Sequence, residues 1–160
     1  MAAVLGSVWF EGGAIQEDTM PNDEFGKCFI MLCNNRTEKE CLGRGLFGDR
    51  EWRLEYLRDI RLGDVGFLLN TSTNELIGDF KSLSKAELDI EADAWQGEFR
   101  AQVRVEPKGD LKRVSEAAII LANAGVALVD LPSGKLVPML PVQNADVAQK
   151  LLELFGGGGP

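Results

Sequence analysis

A chain of 160 residues with 45% hydrophobic and 26% charged residues fits one globular domain with room for a real core. No apolar run approaches the roughly 18 residues of a membrane span, and the opening Met1-Ala-Ala-Val-Leu-Gly6 lacks the basic segment of a signal peptide, so a cytoplasmic protein without a membrane partner is expected. A net charge of −8 disfavours indiscriminate binding to phosphate backbones, and the lack of any histidine removes Ser-His-Asp and Cys-His nucleophiles, imidazole bases and most zinc sites.

Residues 1–24 read as an N-terminal extension in which Val8-Trp9-Phe10 suits packing or a short edge strand, followed by loop. From Lys27 to Cys33 the near-continuous apolarity predicts a strand buried on both faces, which runs into a polar Asn34-Asn35 corner. Thr37-Glu-Lys-Glu40 matches a capping box, so Thr37 and Glu40 are assigned to helix capping rather than to chemistry, and Gly43 and Gly45 stop that helix early. A second helix is expected over residues 49–60, with Trp52, Tyr56, Leu57 and Ile60 on one face and arginines opposite.

Arg61-Leu-Gly-Asp64 turns into a β-hairpin of residues 65–69 and 75–80, and residues 82–94 form a polar, acidic excursion. Phe99, Ala101, Val103 and Val105 then alternate with Arg100, Gln102 and Arg104, a strand with its apolar face inward and its polar face outward. Ser115 is expected to cap a helix that runs to Ala124 and ends at Gly125. A second hairpin spans residues 126–139. Asn144 starts a last helix with Val147, Leu151, Leu154 and Phe155 inward, and residues 156–160 read as a flexible glycine tail. With no internal repeat and no linker, the sum is α+β: a mixed, curled sheet flanked by helices.

The charge is unevenly spread. Arg36, Lys39, Arg44, Arg50, Arg53, Arg58 and Arg61 crowd an early segment, while Glu87, Asp89, Glu91, Asp93 and Glu98 crowd a later one. These read as two solvated faces, with a local basic face as the alternative. Cys28, Cys33 and Cys41 are too few for a four-thiolate site; Cys33 and Cys41 could meet across the corner, but reduced, structural thiols are expected in a cytosolic protein.

The run Gly26-Lys-Cys-Phe-Ile-Met-Leu-Cys-Asn-Asn-Arg-Thr37, with Glu40-Cys41 and Leu46-Phe-Gly48, resembles the opening motif of the DCD (development and cell death) domain, a family known mostly from plants. Arg61-Leu-Gly-Asp64, Leu76-Ile-Gly78 and Ala101-Gln-Val-Arg-Val105 are similar to its later motifs, and residues 147–155 to its closing helix. The likeness runs over residues 25–155, which sets the expected domain; Asp49-Arg50 stands where the plant proteins usually have Leu-Pro. A further similarity reaches the YTH and EVE domains of the PUA-like class, through residues 32–47 and Trp95-Gln-Gly-Glu-Phe99. The resemblance implies a PUA-like mixed, partly closed β-barrel flanked by helices. In YTH domains those two places supply aromatic walls of a cage for a methylated base. Carried over, Phe47 and Trp95 would be walls and Asn34 and Asn35 would hydrogen-bond the base edge, while the third aromatic has no match among residues 86–94.

Each of these residues also has a scaffold reading, since large aromatics mostly serve the core and corner asparagines often serve loop backbone. The expected function is a non-catalytic module that binds RNA or a modified nucleotide in a strand-end pocket. Asn34, Asn35, Phe47 and Trp95 form it, with Arg36, Arg100, Gln102 and Arg104 towards phosphate or backbone. The rival is a protein-interaction module in stress signalling, favoured by the acidic charge. With no triad and no metal motif, the sequence assigns no catalytic residue, no metal and no cofactor. The expected partners are single-stranded or modified RNA, or another protein.

Overall fold

The computed structural model describes residues 26–156; the expectations for the N-terminal extension and for the tail after Gly156 lie outside the described residues. The first strand, β1 (Cys28–Cys33), is buried on both faces as its composition predicts. Phe29, Met31 and Cys33 enter one core cluster while Cys28 and Ile30 enter another, the period of two expected of a strand. It lies parallel to β3 (Val65–Asn70) and antiparallel to the short β9 (Val142–Gln143). The predicted hairpin joins β3 to β4 (Glu75–Ser82), and β4 pairs with the long β6 (Ala101–Ser115), which also carries β2 (Leu46–Asp49) and β5 (Glu87–Leu88). The sheet order β2-β6-β4-β3-β1-β9, with β5 on β6, curls into the half-barrel of an α+β fold.

Helix α1 (Glu38–Arg44) follows the corner after β1. Helices α2 (Ala117–Asn123) and α3 (Ala145–Leu154) cover the second core cluster through Ala117, Leu121, Val147 and Leu151. The second predicted hairpin forms as β7 (Leu128–Asp130) and β8 (Leu136–Pro138). Two glycines leave space that aromatic rings fill. A Cβ on Gly66 would lie 2.4 Å from the Phe29 ring, and one on Gly48 would lie 2.5 Å from the Trp95 ring.

Four local expectations fail. The capping box does not form: Thr37 makes no side-chain bond to the helix it precedes. Instead Asn34 Oδ1 accepts from the backbone N–H of Arg36 (2.9 Å) and Thr37 (3.0 Å), the Asx-turn that asparagine favours at such corners. Glu40 is turned away to another partner described below.

The helix expected over residues 49–60 is strand as far as Asp49 and then a 3₁₀-helix, Glu51–Leu57. Leu54, Leu57 and Ile60 face the core at a period of three, which the tighter helix satisfies. Trp52 is therefore thrown outward and is 66% exposed. It meets Tyr56 edge-on at 6.5 Å, and the Arg53 guanidinium lies over both rings.

Ser115 does not cap α2, because it is the last residue of β6, where it pairs with Glu75. That pairing brings the β3–β4 turn to the helix start, and Asn74 Oδ1 accepts the Ala118 N–H at 3.1 Å. Asn144 does cap α3, accepting from Val147 N–H at 3.0 Å, but Ala148 completes the buried face and Leu154 is exposed.

Candidate functional site

At the carboxyl end of β1 the chain leaves the sheet, and a cleft of about 530 Å³ opens there. Its floor is Cys33, Thr37 and Cys41, with Asn34 at the corner. Its aromatic lining is Trp95, Phe99 and Trp52, with Gly48, Asp49 and Arg50 also lining it. The β7–β8 hairpin adds apolar lining through Val129, Val137 and Met139. Trp95 and Phe99 stand edge to face, centroids 5.9 Å apart and planes at 77°, so they make a right-angled corner. The volume and the mix of apolar walls with few polar groups suit a small planar ligand.

Trp95 reaches this place through an unusual turn. Trp95 (φ 49°), Gln96 (φ 56°) and Gly97 (φ 81°) are three successive left-handed residues. Such a conformation costs a residue with a Cβ about 1–2 kcal/mol. The turn is held by Glu40, whose carboxylate accepts the Trp95 backbone N–H at 2.7 Å and Arg44 Nε–H at 2.8 Å. The glycine in Trp95-Gln-Gly-Glu-Phe99 is thus explained by the turn, and Gly48 by the ring that packs on it.

Of the residues the sequence singles out, the structure brings Asn34 and Trp95 into the cleft. Asn34 Oδ1 is spent on the corner, but its Nδ2 has no protein partner among the described residues and remains a donor for a ligand. Asn35 points elsewhere; its Oδ1 accepts from the buried Asn70 side chain at 3.1 Å. Arg36 does not line the cleft; its guanidinium lies 3.7 Å from the carboxylate of Glu98, in the turn between Trp95 and Phe99. Phe47 is a correction: it is fully buried, packed edge-on against Phe80 at 4.9 Å, and has no surface to offer a ligand.

The polar face of β6 is a second correction. Gln102 is 1% exposed, its amide bonded to both backbone groups of Glu91 and to the Phe99 carbonyl. Arg100 forks onto Asp89 (2.6 Å) and reaches Glu51 (2.7 Å), while Arg104 pairs with Glu91 (2.6 Å) and donates to the Arg44 carbonyl. The acidic excursion folds back over β6 and pairs with Arg100 and Arg104, and of the early basic block Arg44 reaches it through Glu91 and Asp93. Trp52, Phe99, Arg50 and Arg53 are cleft residues that the sequence reading passed over. A period of three in Leu54, Leu57 and Ile60 was the signal that would have freed Trp52 from the core.

This network sets an acid limit. Arg44, then Arg104, hold Glu91 below the usual carboxylate range; Arg100 does so for Asp89, and Arg113 for Glu38. Folded values below the unfolded ones give stability that is present above the unfolded value and lost as pH falls through the folded one. The melting temperature is therefore expected to be flat from neutral to about pH 5 and to fall below about pH 4. Glu91→Gln should start lower and show a shallower acid limb in the same thermal melts. An acid limb identical to that of the parent would remove Glu91 from the account.

The cysteines are free thiols. Burial pushes Cys28 up to about 12, with Asp64 adding to the shift. A hydrogen bond with Cys41, followed by burial, raises Cys33 as well. Cys33 thus meets Cys41 across the corner and is held as the neutral thiol, the unreactive form. Among the described residues, no group of His, Cys, Asp and Glu could hold a metal ion, and no helix is long and apolar enough to cross a membrane.

The profile described as "Development and cell death domain" matches residues 27–123. The B2 protein of Daucus carota is 39% identical over 95 residues, which cover 55% of this chain and 46% of that protein. The DCD domain-containing protein NRP-B of Glycine max is also 39% identical over 95 residues, covering 55% of this chain and 29% of that one. The chain thus spans less than half the length of these curated relatives.

Among solved structures, the Pho92 YTH domain in complex with m6A superposes with a TM-score of 0.56 at 12% identity, covering 82% of this chain and 84% of that one. The YTH domain of the Zygosaccharomyces rouxii MRB1 protein, in complex with N6-methyladenosine RNA, gives 0.55 at 14% identity over 81% and 86%. At such identity the likeness is one of fold, and it bears out the mixed, half-barrel architecture expected from the sequence.

Proposed function

The chain belongs to the development and cell death domain family, and from that premise we propose that its cleft is a non-catalytic binding site for a base of RNA. The observation that carries this reading is the right-angled corner of Trp95 and Phe99 in a cleft of about 530 Å³ that the exposed Trp52 also lines. A planar base would stack on one ring and be closed in by the others. Asn34 Nδ2 would donate to an acceptor on the base edge. Trp52 and Phe99 offer the aromatic walls that Phe47 cannot, and the m6A and RNA bound in the YTH complexes support a base as the ligand class.

Stacking on an aromatic ring is worth about 1–3 kcal/mol per base. Trp95→Ala is therefore expected to weaken binding roughly 5- to 150-fold. The measurement is tryptophan fluorescence titration with short single-stranded RNAs, unmodified and N6-methylated, at two salt concentrations. Absence of saturable binding to every oligonucleotide would sink the reading. The hairpin lining favours a second one: Met139 lines the cleft, and the neighbouring Leu136 and Leu140 are exposed, which suits an apolar protein partner.

A further inference from the structure

Most arginines around the cleft are committed at short range. Arg44 meets Glu91 at 2.5 Å, Arg100 and Arg104 meet their carboxylates at 2.6 Å, and Arg53 holds Asp49 at 2.9 Å. Arg36 and Arg50 are different. Both lean on one carboxylate, that of Glu98, through its two oxygens, at 3.7 Å and 3.5 Å. Neither distance is that of a hydrogen bond, and the two side chains remain 68% and 56% exposed. Two positive charges thus share one negative charge, in a protein whose net charge is −8.

The place matters as much as the charge. Arg50 lines the cleft, and its guanidinium lies 5.2 Å from the centroid of the Phe99 ring. The backbone of Arg36 is tied to the Asn34 side chain. Glu98 belongs to the Trp95 turn, its N–H donating to the Trp95 carbonyl at 3.0 Å. Both guanidinium groups therefore converge on a residue of the short turn that joins Trp95 to Phe99. A phosphate there would offer more oxygens than Glu98 and could be gripped by two planar forks at once, the geometry in which arginine excels.

We propose that Arg36 and Arg50 form a phosphate subsite beside the cleft, filled in the free protein by Glu98 as an internal counter-anion. The inference rests on the base-binding reading and sharpens it: the ligand is a nucleotide or a strand of RNA, and a free nucleoside or base uses only part of the site. Glu98 lowers affinity for phosphate, so its removal strengthens binding instead of weakening it.

The test uses the full chain, titrated with the four ribonucleosides, their 5′-monophosphates and short oligoribonucleotides at several salt concentrations. The monophosphates are expected to bind more tightly than the nucleosides if a terminal phosphate is read, and the oligoribonucleotides alone if the phosphodiester is read. Glu98→Gln should tighten the phosphate-bearing ligand by up to about fivefold, the weight of an exposed ion pair, and leave nucleosides unchanged. Arg36→Gln with Arg50→Gln should lower the slope of log affinity against log salt by about one, since both arginines serve a single phosphate. If nucleosides bind, yet phosphate adds nothing or Glu98→Gln leaves its binding unchanged, the subsite falls and the base cleft stands. If no nucleoside, nucleotide or oligoribonucleotide binds, both fall.

Discussion

Phe47→Ala is expected to lower stability by about 3–5 kcal/mol, as the loss of a fully buried aromatic ring usually does. The ring sits at 0% exposure on β2, 4.9 Å from the Phe80 centroid and 6.2 Å from that of Phe29, both edge-on. It therefore joins β2 to β4 and β1, on the side of the sheet that carries Trp95. With neighbours from three strands, the site cannot collapse around the missing ring, and the cavity adds to the lost transfer energy. Against a total of about 5–15 kcal/mol for an ordinary domain, that is a large share. Urea unfolding would read it as a lower midpoint with an unchanged slope. Phe47→Leu, which keeps more of the volume, should lose less. Once corrected for the folded fraction, ligand affinity should stay that of the parent. Full stability with lost binding would return Phe47 to the cleft wall.

That contrast shows what the sequence could and could not tell. Elements governed by short-range pattern were legible: β1 from its unbroken apolarity, the β3–β4 hairpin from its turn, the start of α3 from Asn144. The two asparagines and Trp95 also stood out locally, and two of the three line or reach the cleft as expected of a strand end. What failed was decided at long range. Phe47 and Trp52 are both large aromatics five residues apart, yet packing on Phe29 and Phe80 puts the first in the core while the period-three packing of Leu54, Leu57 and Ile60 turns the second to solvent. Arg100, Gln102 and Arg104 alternate as an outer face should, yet residues 87–98 fold over them. The apolar wall of the cleft comes from the β7–β8 hairpin, far along the chain from the asparagine corner. No local signal links the two.

Glu40→Ala should cut ligand binding as deeply as Trp95→Ala and cost stability as well. The Glu40 carboxylate is the acceptor for the backbone N–H of Trp95, a residue only slightly exposed, and it also anchors Arg44, which grips Glu91 and Asp93 in the same loop. Alanine strands that N–H, at about 1–3 kcal/mol for a buried donor left without a partner. It also releases the left-handed run of Trp95 and Gln96, each of which gains about 1–2 kcal/mol by relaxing. Both changes favour a turn that no longer holds the ring against Phe99. In a Trp9→Phe, Trp52→Phe background, Trp95 is the sole reporter, and its emission should shift to the red as the ring meets water. Glu40→Gln keeps an acceptor for the N–H and should restore most of the emission and the binding. Adding Trp95→Ala to Glu40→Ala should bring no further loss of affinity, because both remove the same ring from the same place. If Glu40→Ala lowers the melting temperature yet binds RNA like the parent, Glu40 serves the fold alone, and another contact holds Trp95 in the cleft.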